Sequence, residues 1–439
     1  MNTLQTCTHL PVCEIMIKHL LGMESAEVRN QSVPSRGFVF GRGTDGYFAI
    51  KPETQDGHIM VVGGVGTGKS TCIVMPTLRV WQARVFAIDI KGELSNYAKK
   101  YRFNIKVFSP QDRNAYGYDP YAFLKGCNNI AQEMRAIVQC LIPLTPEIKD
   151  PFWIESAQDF LTGAMLYYYD LGHSFVDTLM QIQLSGAENL IEAIFNSDNN
   201  KARLYISSFV NMAEKTLSSV FATVSRAITP LVTDDDVVSA LSRSNTIEPV
   251  DLEYGYDVFL NVPEHLLRQW KNLLGLMVNQ FLMFFERRNE SHDMPPILFL
   301  LDEFPRLGKI PFIMDGLATL RSKKVSICLI LQSLAQLDVI YGKDERRIIS
   351  DTCAYKAILS ATDPDTQDYF SKLVGTYEKR KQTTTSAFIN PMGNSKSITT
   401  EEKPIIKPAD FATLRDVVLL HPFEKGFTRV EKVPWWGMG

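Results

Sequence analysis

The apolar positions of this chain follow three different rhythms. Up to about residue 125 they form short, nearly continuous runs broken by glycine-rich or polar turns. Gly37-Phe-Val-Phe-Gly-Arg and Tyr47-Phe-Ala-Ile flank a turn through Gly43 and Gly46 and read as a hairpin. His58 to Val62, Val85 to Ile90 and Lys106 to Phe108 read as buried strands. Thr71 to Trp81 reads as a helix that Pro76 kinks. From about residue 126 to 244 the period becomes 3.6, and no strand is expected. Phe152, Ala157, Phe160, Leu161, Ala164, Met165 and Tyr168 fall on one helical stripe, and Thr216 to Val232 carries another. Strands return at Asp257 to Asn261, Ile297 to Leu301, Val325 to Leu331, Tyr355 to Leu359 and Asp416 to Leu420. The polar stretch Glu378 to Pro404 reads as a surface loop. Strands alternating with helices indicate an α/β fold, its mostly parallel sheet covered on both faces. An all-α domain is inserted into it.

Composition adds little and excludes some classes. Apolar residues make up 45% of the 439 and charged residues 22%, ordinary for a globular protein with a large core. The net charge of −3 gives no bulk basic surface, so any contact with nucleic acid must be local. The seven cysteines are scattered, with no CxxC pair, and read as reduced thiols of a cytosolic protein. Cys7, His9 and Cys13 lie close together, but no second ligand pair follows to make a metal site. No segment reaches the about 20 apolar residues of a membrane span. The longest, Leu273 to Phe285, is interrupted by Asn279 and Gln280 and reads as a buried helix. Val12 to Met23 reads as a short packed N-terminal helix.

The chemistry is concentrated at strand ends. Gly63-Gly64-Val65-Gly66-Thr67-Gly68-Lys69-Ser70 meets the pattern GxxxxGK(S/T) between an expected strand and an expected helix. Phosphate groups must approach backbone N–H groups closely there, and glycines leave that approach open. Lys69 supplies a cation for the β- and γ-phosphates of ATP, and Ser70 a hydroxyl for Mg²⁺. The binding segment runs on to Thr71, where the helix points its positive end at the anion. Ile297-Leu-Phe-Leu-Leu-Asp302-Glu303 ends a buried strand in two carboxylates. Asp302 suits Mg²⁺, and Glu303 suits proton acceptance from water. Gln332 ends the next apolar strand and suits a γ-phosphate sensor. Arg321, just before that strand, suits a guanidinium finger reaching a neighbouring subunit's site, with Arg306, Lys323 and Lys324 as alternatives. Asp89, in Asp89-Ile-Lys91-Gly92-Glu93, has a supporting role near Mg²⁺ or a purely local one.

These segments, in this order, resemble the type IV secretion coupling proteins, the TraG-type ATPases of conjugation. The resemblance runs from about Gly37 to Val433. It adds Asp119-Pro120, the segment Leu301-Asp-Glu-Phe-Pro-Arg-Leu-Gly-Lys-Ile-Pro, and Gln332-Ser-Leu-Ala-Gln-Leu. It implies a hexameric ring with a RecA-like P-loop NTPase core and an inserted all-α domain. The expected units are an N-terminal helical segment (residues 1–36), a nucleotide-binding domain in two parts (37–125 and 245–439) and the all-α domain (126–244). The implied partners are single-stranded DNA, a relaxase or relaxosome and the type IV secretion channel. Members usually begin with two transmembrane helices, and none is legible here. The expectation is therefore a cytoplasmic or peripheral protein that meets the membrane through a partner. A general DNA translocase or packaging ATPase, or an ATP-regulated substrate-receptor adaptor, are the competing readings. Lys99, Lys100, Arg102, Arg113 and the run Lys379 to Lys381 are basic candidates for DNA contact that solvated surface explains equally well.

Overall fold

The structure is a computed structural model describing residues 36–290, 294–385, 395–423 and 426–438. The short packed helix expected over Val12 to Met23 and the Cys7, His9 and Cys13 group lie outside the described residues. In chain order the strands are β1 (Gly37–Arg42), β2 (Phe48–Pro52), β3 (Ile59–Val62), β4 (Arg84–Asp89), β5 (Ile105–Phe108), β6 (Asp257–Asn261) and β7 (Ile297–Leu301). Then follow β8 (Val325–Leu331), β9 (Tyr355–Ile358), β10 (Thr376–Thr385), β11 (Ser395–Pro404), β12 (Val417–Leu420) and β13 (Thr428–Val430).

Among the described residues nine of these strands form one sheet, in the order β13-β12-β9-β3-β8-β7-β4-β6-β5. From β9 to β5 every pairing is parallel. β12 and β13 close the edge as antiparallel strands. The central strands are apolar throughout because both faces are covered. In β3, Met60 and Val62 join Phe86 and Phe299 on one face. Ile59 and Val61 join Ile73, Leu78 and Leu298 on the other.

Between β5 and β6 the chain is helical from Ile130 to Leu241, as the period of 3.6 predicts. Helix Phe152–Asp170 buries Ala157, Phe160, Leu161, Ala164, Met165 and Tyr168. Phe152, expected on the same stripe, is 45% exposed because it begins the helix, beyond the neighbours that cover the rest. Helix Leu267–Glu286 links this region to the sheet. Its Phe281 ring lies 4.6 Å from that of Phe86, and Asn272 donates to the Leu141 carbonyl at 2.9 Å. Asn279 and Gln280, which interrupt the apolar stretch, are buried and bonded. Asn279 accepts from the Phe312 amide, and Gln280 donates to the Pro120 carbonyl and bonds the Tyr118 hydroxyl.

Two expectations need correction. The polar stretch Glu378 to Pro404 is not a plain loop: β10 and β11 pair antiparallel over ten residues each. The threonines there favour extended backbone, and the stretch carries no apolar alternation by which a strand could be read. The helix expected at Thr71 begins as a π-helical turn at Lys69–Val74 and continues as α-helix over Met75–Val80. Pro76 then lies in the first α-helical turn, where its missing N–H breaks least. Among the described residues no helix is long and apolar enough to cross a membrane.

One buried charge fastens the β4–β6 edge. Asp257, fully buried, accepts from the Val85 amide at 2.9 Å and from Arg102 Nε and Nη2 at 2.7 and 2.9 Å. Arg102 also donates to the carbonyls of Trp81 and Ala83. Losing one partner strands the other charge in the core, which costs about 3–5 kcal/mol. Asp257→Ala should lower the urea midpoint by a corresponding amount. A midpoint within error of the parent would show the pair to be dispensable.

Candidate active site

β8 lies between β3 and β7, so three strand ends open side by side. Gly63 follows β3, Gln332 follows β8 and Asp302 follows β7. The Gly63 amide donates to the Leu331 carbonyl at 3.1 Å, carrying the ladder one step beyond β3. The result is a cleft of about 340 Å³ lined by Val65 to Thr71, Asp89, Lys91, Glu93, Glu264, Asp302, Glu303, Arg306 and Gln332. Ligands of parallel α/β sheets bind at such carboxyl ends.

The glycines are there for different reasons. A Cβ on Gly63 would meet Thr67 Oγ1 at 2.6 Å and Leu359 Cβ at 3.1 Å, so that position is dictated by the loop's own packing. Gly66 and Gly68 have φ of +74° and +98°, a region other residues rarely adopt. At Gly64 and Gly66 no protein atom stands closer than 3.5 Å to an added Cβ. Open space beside backbone N–H groups is what an anion cradle requires. Thr67 Oγ1 donates to the Gly64 carbonyl at 2.9 Å, and the Gly64 amide donates to Ser360 Oγ at 3.2 Å. The buried Lys69 ammonium folds back on the carbonyls of Gly63 and Gly64 at 2.7 and 3.0 Å. Burial pulls its pKa down, against the attraction of Glu303 and Asp302.

The acidic side is equally tied. Burial first, and the Glu303 charge second, push the Asp302 carboxyl up to about 6. Asp302 Oδ1 accepts the Glu303 amide at 3.0 Å. Glu303 itself has φ +48°, uncommon for a residue with a side chain and a form of local strain that collects at functional sites. Gln332 Nε2 donates to both Glu303 oxygens, at 3.2 and 3.0 Å. Asp89 accepts the amides of Leu94 and Ser95, so it caps the helix Glu93–Ala98 while also facing the cleft. The donor set fits a phosphate chain with a divalent cation: open N–H groups and an ammonium on one wall, a hydroxyl at Ser70, and the half-buried Asp302 carboxylate beside them.

Lys69, Ser70, Asp302, Glu303 and Gln332 are thus brought together. Arg321 is not brought to this cleft. It is exposed in the turn leading into β8, at the amino end of the parallel strands and so at the opposite end from the cleft, beside Lys323 and Lys324, which bond Glu290 and Asp56. Arg306 does line the cleft and is held by Glu264 at 2.7 Å. Glu264 and Ser360 were not among the residues expected from the sequence. Both follow the ends of parallel strands, β6 and β9, and a polar residue at such an end is the same signal that marks Gln332.

A profile for the family described as "Type IV secretory system Conjugative DNA transfer" matches residues 15–420. "Protein VirD4" of Agrobacterium fabrum is 26% identical over 412 residues, covering 88% of this chain and 61% of that protein. A "Conjugal transfer protein TraG" of Escherichia coli is 23% identical over 414 residues, covering 83% and 63%. The chain therefore spans less than two thirds of the length of these relatives. The solved structure "Plasmid coupling protein TrwB in complex with ADP and Mg2+" superposes with a TM-score of 0.67 at 15% identity, covering 96% of this chain and 92% of that one. That similarity establishes a common fold, the RecA-like α/β core.

The Asp302 shift carries a testable sign. Its folded pKa of about 6 lies above the ordinary 3.8, so folding favours the protonated form. The associated stability is fully present below about 3.8 and lost as pH rises through about 6, by at most about 3 kcal/mol. Asp302→Asn removes a charge, so without divalent cation it should melt above the parent at neutral pH, with the gap closing near pH 4. A gap independent of pH would mean that Asp302 does not titrate in this way.

Proposed function

The chain belongs to the type IV secretory system conjugative DNA transfer family. From that premise we propose that it hydrolyses ATP to recruit and move relaxase-bound single-stranded DNA, or protein substrates, to a type IV secretion channel. The observation that carries the ATPase reading is the convergence of Lys69, Asp302, Glu303 and Gln332 on one cleft at the ends of three adjacent parallel strands.

The backbone N–H groups from Val65 to Thr71 and the Lys69 ammonium would hold the phosphates of ATP. Ser70 and Asp302 would hold Mg²⁺, which offsets negative charge on the phosphates when bound. For that, Lys69 must leave the carbonyls of Gly63 and Gly64, contacts well suited to keeping a buried ammonium solvated while no anion is near. Glu303 is placed to accept the proton of an attacking water. The Gln332 amide holds the Glu303 carboxylate by both oxygens, so a shift of Gln332 towards a γ-phosphate would release the base as the sensor engages. Arg321, remote from the cleft of its own chain, would serve a neighbouring subunit of a homo-hexameric ring. Arg306 would stabilise charge within its own chain's cleft. Membrane contact would come through a partner protein. The TrwB structure with ADP and Mg²⁺ supports the choice of ligands.

Lys69→Ala should weaken binding of a fluorescent ATP analogue at least about 100-fold and abolish phosphate release. Glu303→Gln should leave binding within a few-fold and lower turnover about 100-fold or more, the usual size of a general-base contribution. Turnover that survives both changes would end the ATPase reading. For Arg321, doping Arg321→Ala subunits into parent protein should depress turnover more than in proportion to their fraction. A strictly proportional fall would exclude a role across subunits.

A further inference from the structure

A row of aromatic rings and cations runs across the surface outside the cleft. Arg79 lies over the Tyr101 ring at 5.4 Å. Tyr101 is followed by Tyr97 at 5.1 Å between centroids, Tyr97 by Trp435 at 5.1 Å, and Trp435 by Trp436 at 5.5 Å. The Lys100 ammonium lies 5.7 Å over Trp435. Tyr97 is buried and serves as the floor, while Trp436 is 64% and Tyr101 40% exposed. Two residues from Tyr101, Phe103 is 85% exposed. Lys99, Lys100 and Tyr101 to Phe103 alternate charge with ring in the sequence itself. The C-terminal segment is anchored, since Val433 and Met438 are buried against Val39 and Ile50. The Trp pair is therefore held in place.

Large exposed rings are unusual on a surface that need not bind anything. Rings with cations at their faces and flanks are what a single-stranded nucleic acid needs: bases stack on the π-faces and phosphates meet the ammonium and guanidinium groups. A chain with net charge −3 must place such contacts locally. A lipid surface also attracts aromatic and basic residues, but there the rings sink and the cations stay at the rim. Here Lys100 stands over the middle of the row, where inserting the rings would bury its charge.

We propose that the row from Arg79 through Tyr101 and Trp435 to Trp436 is a stacking surface for single-stranded nucleic acid. This rests on the reading that the protein handles DNA and adds the place where it does so. None of these residues lines the ATP cleft, so the two sites are separable by mutation.

The test is fluorescence anisotropy with a labelled oligo-dT on the full chain, with binding of a fluorescent ATP analogue as the control for folding. Tyr101→Ala with Trp436→Ala should weaken oligo-dT binding at least about 10-fold, since each stacked base is worth about 5- to 150-fold. The analogue's affinity should stay unchanged, and Trp436→Phe should retain most oligo-dT binding. Lys99→Gln with Lys100→Gln should flatten the salt dependence by about 0.7 in log–log slope for each phosphate left without its cation. Parent-like binding by all these variants would overturn the stacking surface and leave the DNA reading standing. A parent protein that binds no oligo-dT at all would overturn the DNA reading itself. Variants that keep oligo-dT but lose sedimentation with phosphatidylglycerol vesicles would assign the row to a membrane and overturn the proposal.

Discussion

The parallel register of β3, β8 and β7 is the constraint on which the site depends. Val62 pairs with Leu331, and Leu301 with Leu329. That alignment ends three apolar strands at nearly the same level, where the covering helices no longer shield the backbone. A slip of one residue would turn every side chain of a strand to the other face. It would break both cores and also separate Gln332 from Glu303. The same ladder hydrogen bonds therefore support stability and site geometry together. The Gly63 to Leu331 hydrogen bond ties the first residue of the glycine loop to the strand that carries Gln332.

Buried charge is used in two ways. Asp257 is closed off by Arg102 and backbone donors, so its charge is answered within the fold. Asp302 has one amide from its neighbour, and its pKa is raised to about 6. Lys69 leans on two carbonyls with its pKa lowered. A group left partly unanswered is destabilising in the free protein and available to a ligand of opposite charge. The left-handed backbone of Glu303 belongs with these features, all confined to the ends of the central strands.

Much of this was legible along the chain. The glycine loop, Asp302, Glu303 and Gln332 could be named because each follows a short apolar run, and such runs become strands when both faces are buried. The helical run from Ile130 to Leu241 could be read because an amphipathic period of 3.6 is a local property. The β10–β11 ribbon could not, because its polar faces carry no period. Glu264, which lines the cleft, and Ser360, which holds the Gly64 amide, were missed because each is ordinary in its own segment, and Arg306 was legible only as an alternative to Arg321. Only the strand order shows which of them stand beside the loop.

The amino-acid sequence by itself determined which residues have the chemistry for phosphate and metal binding, since that follows from residue type and spacing. It also determined which segments are strands or helices wherever burial imposes a period. The tertiary structure alone decided that β8 lies between β3 and β7. It decided that Gln332 bonds Glu303, that Arg321 stands at the far end of the strands while Arg306 lines the cleft, and that Trp435 reaches Tyr97. These are long-range pairings, chosen by the packing of whole strands and helices, and no local pattern records them.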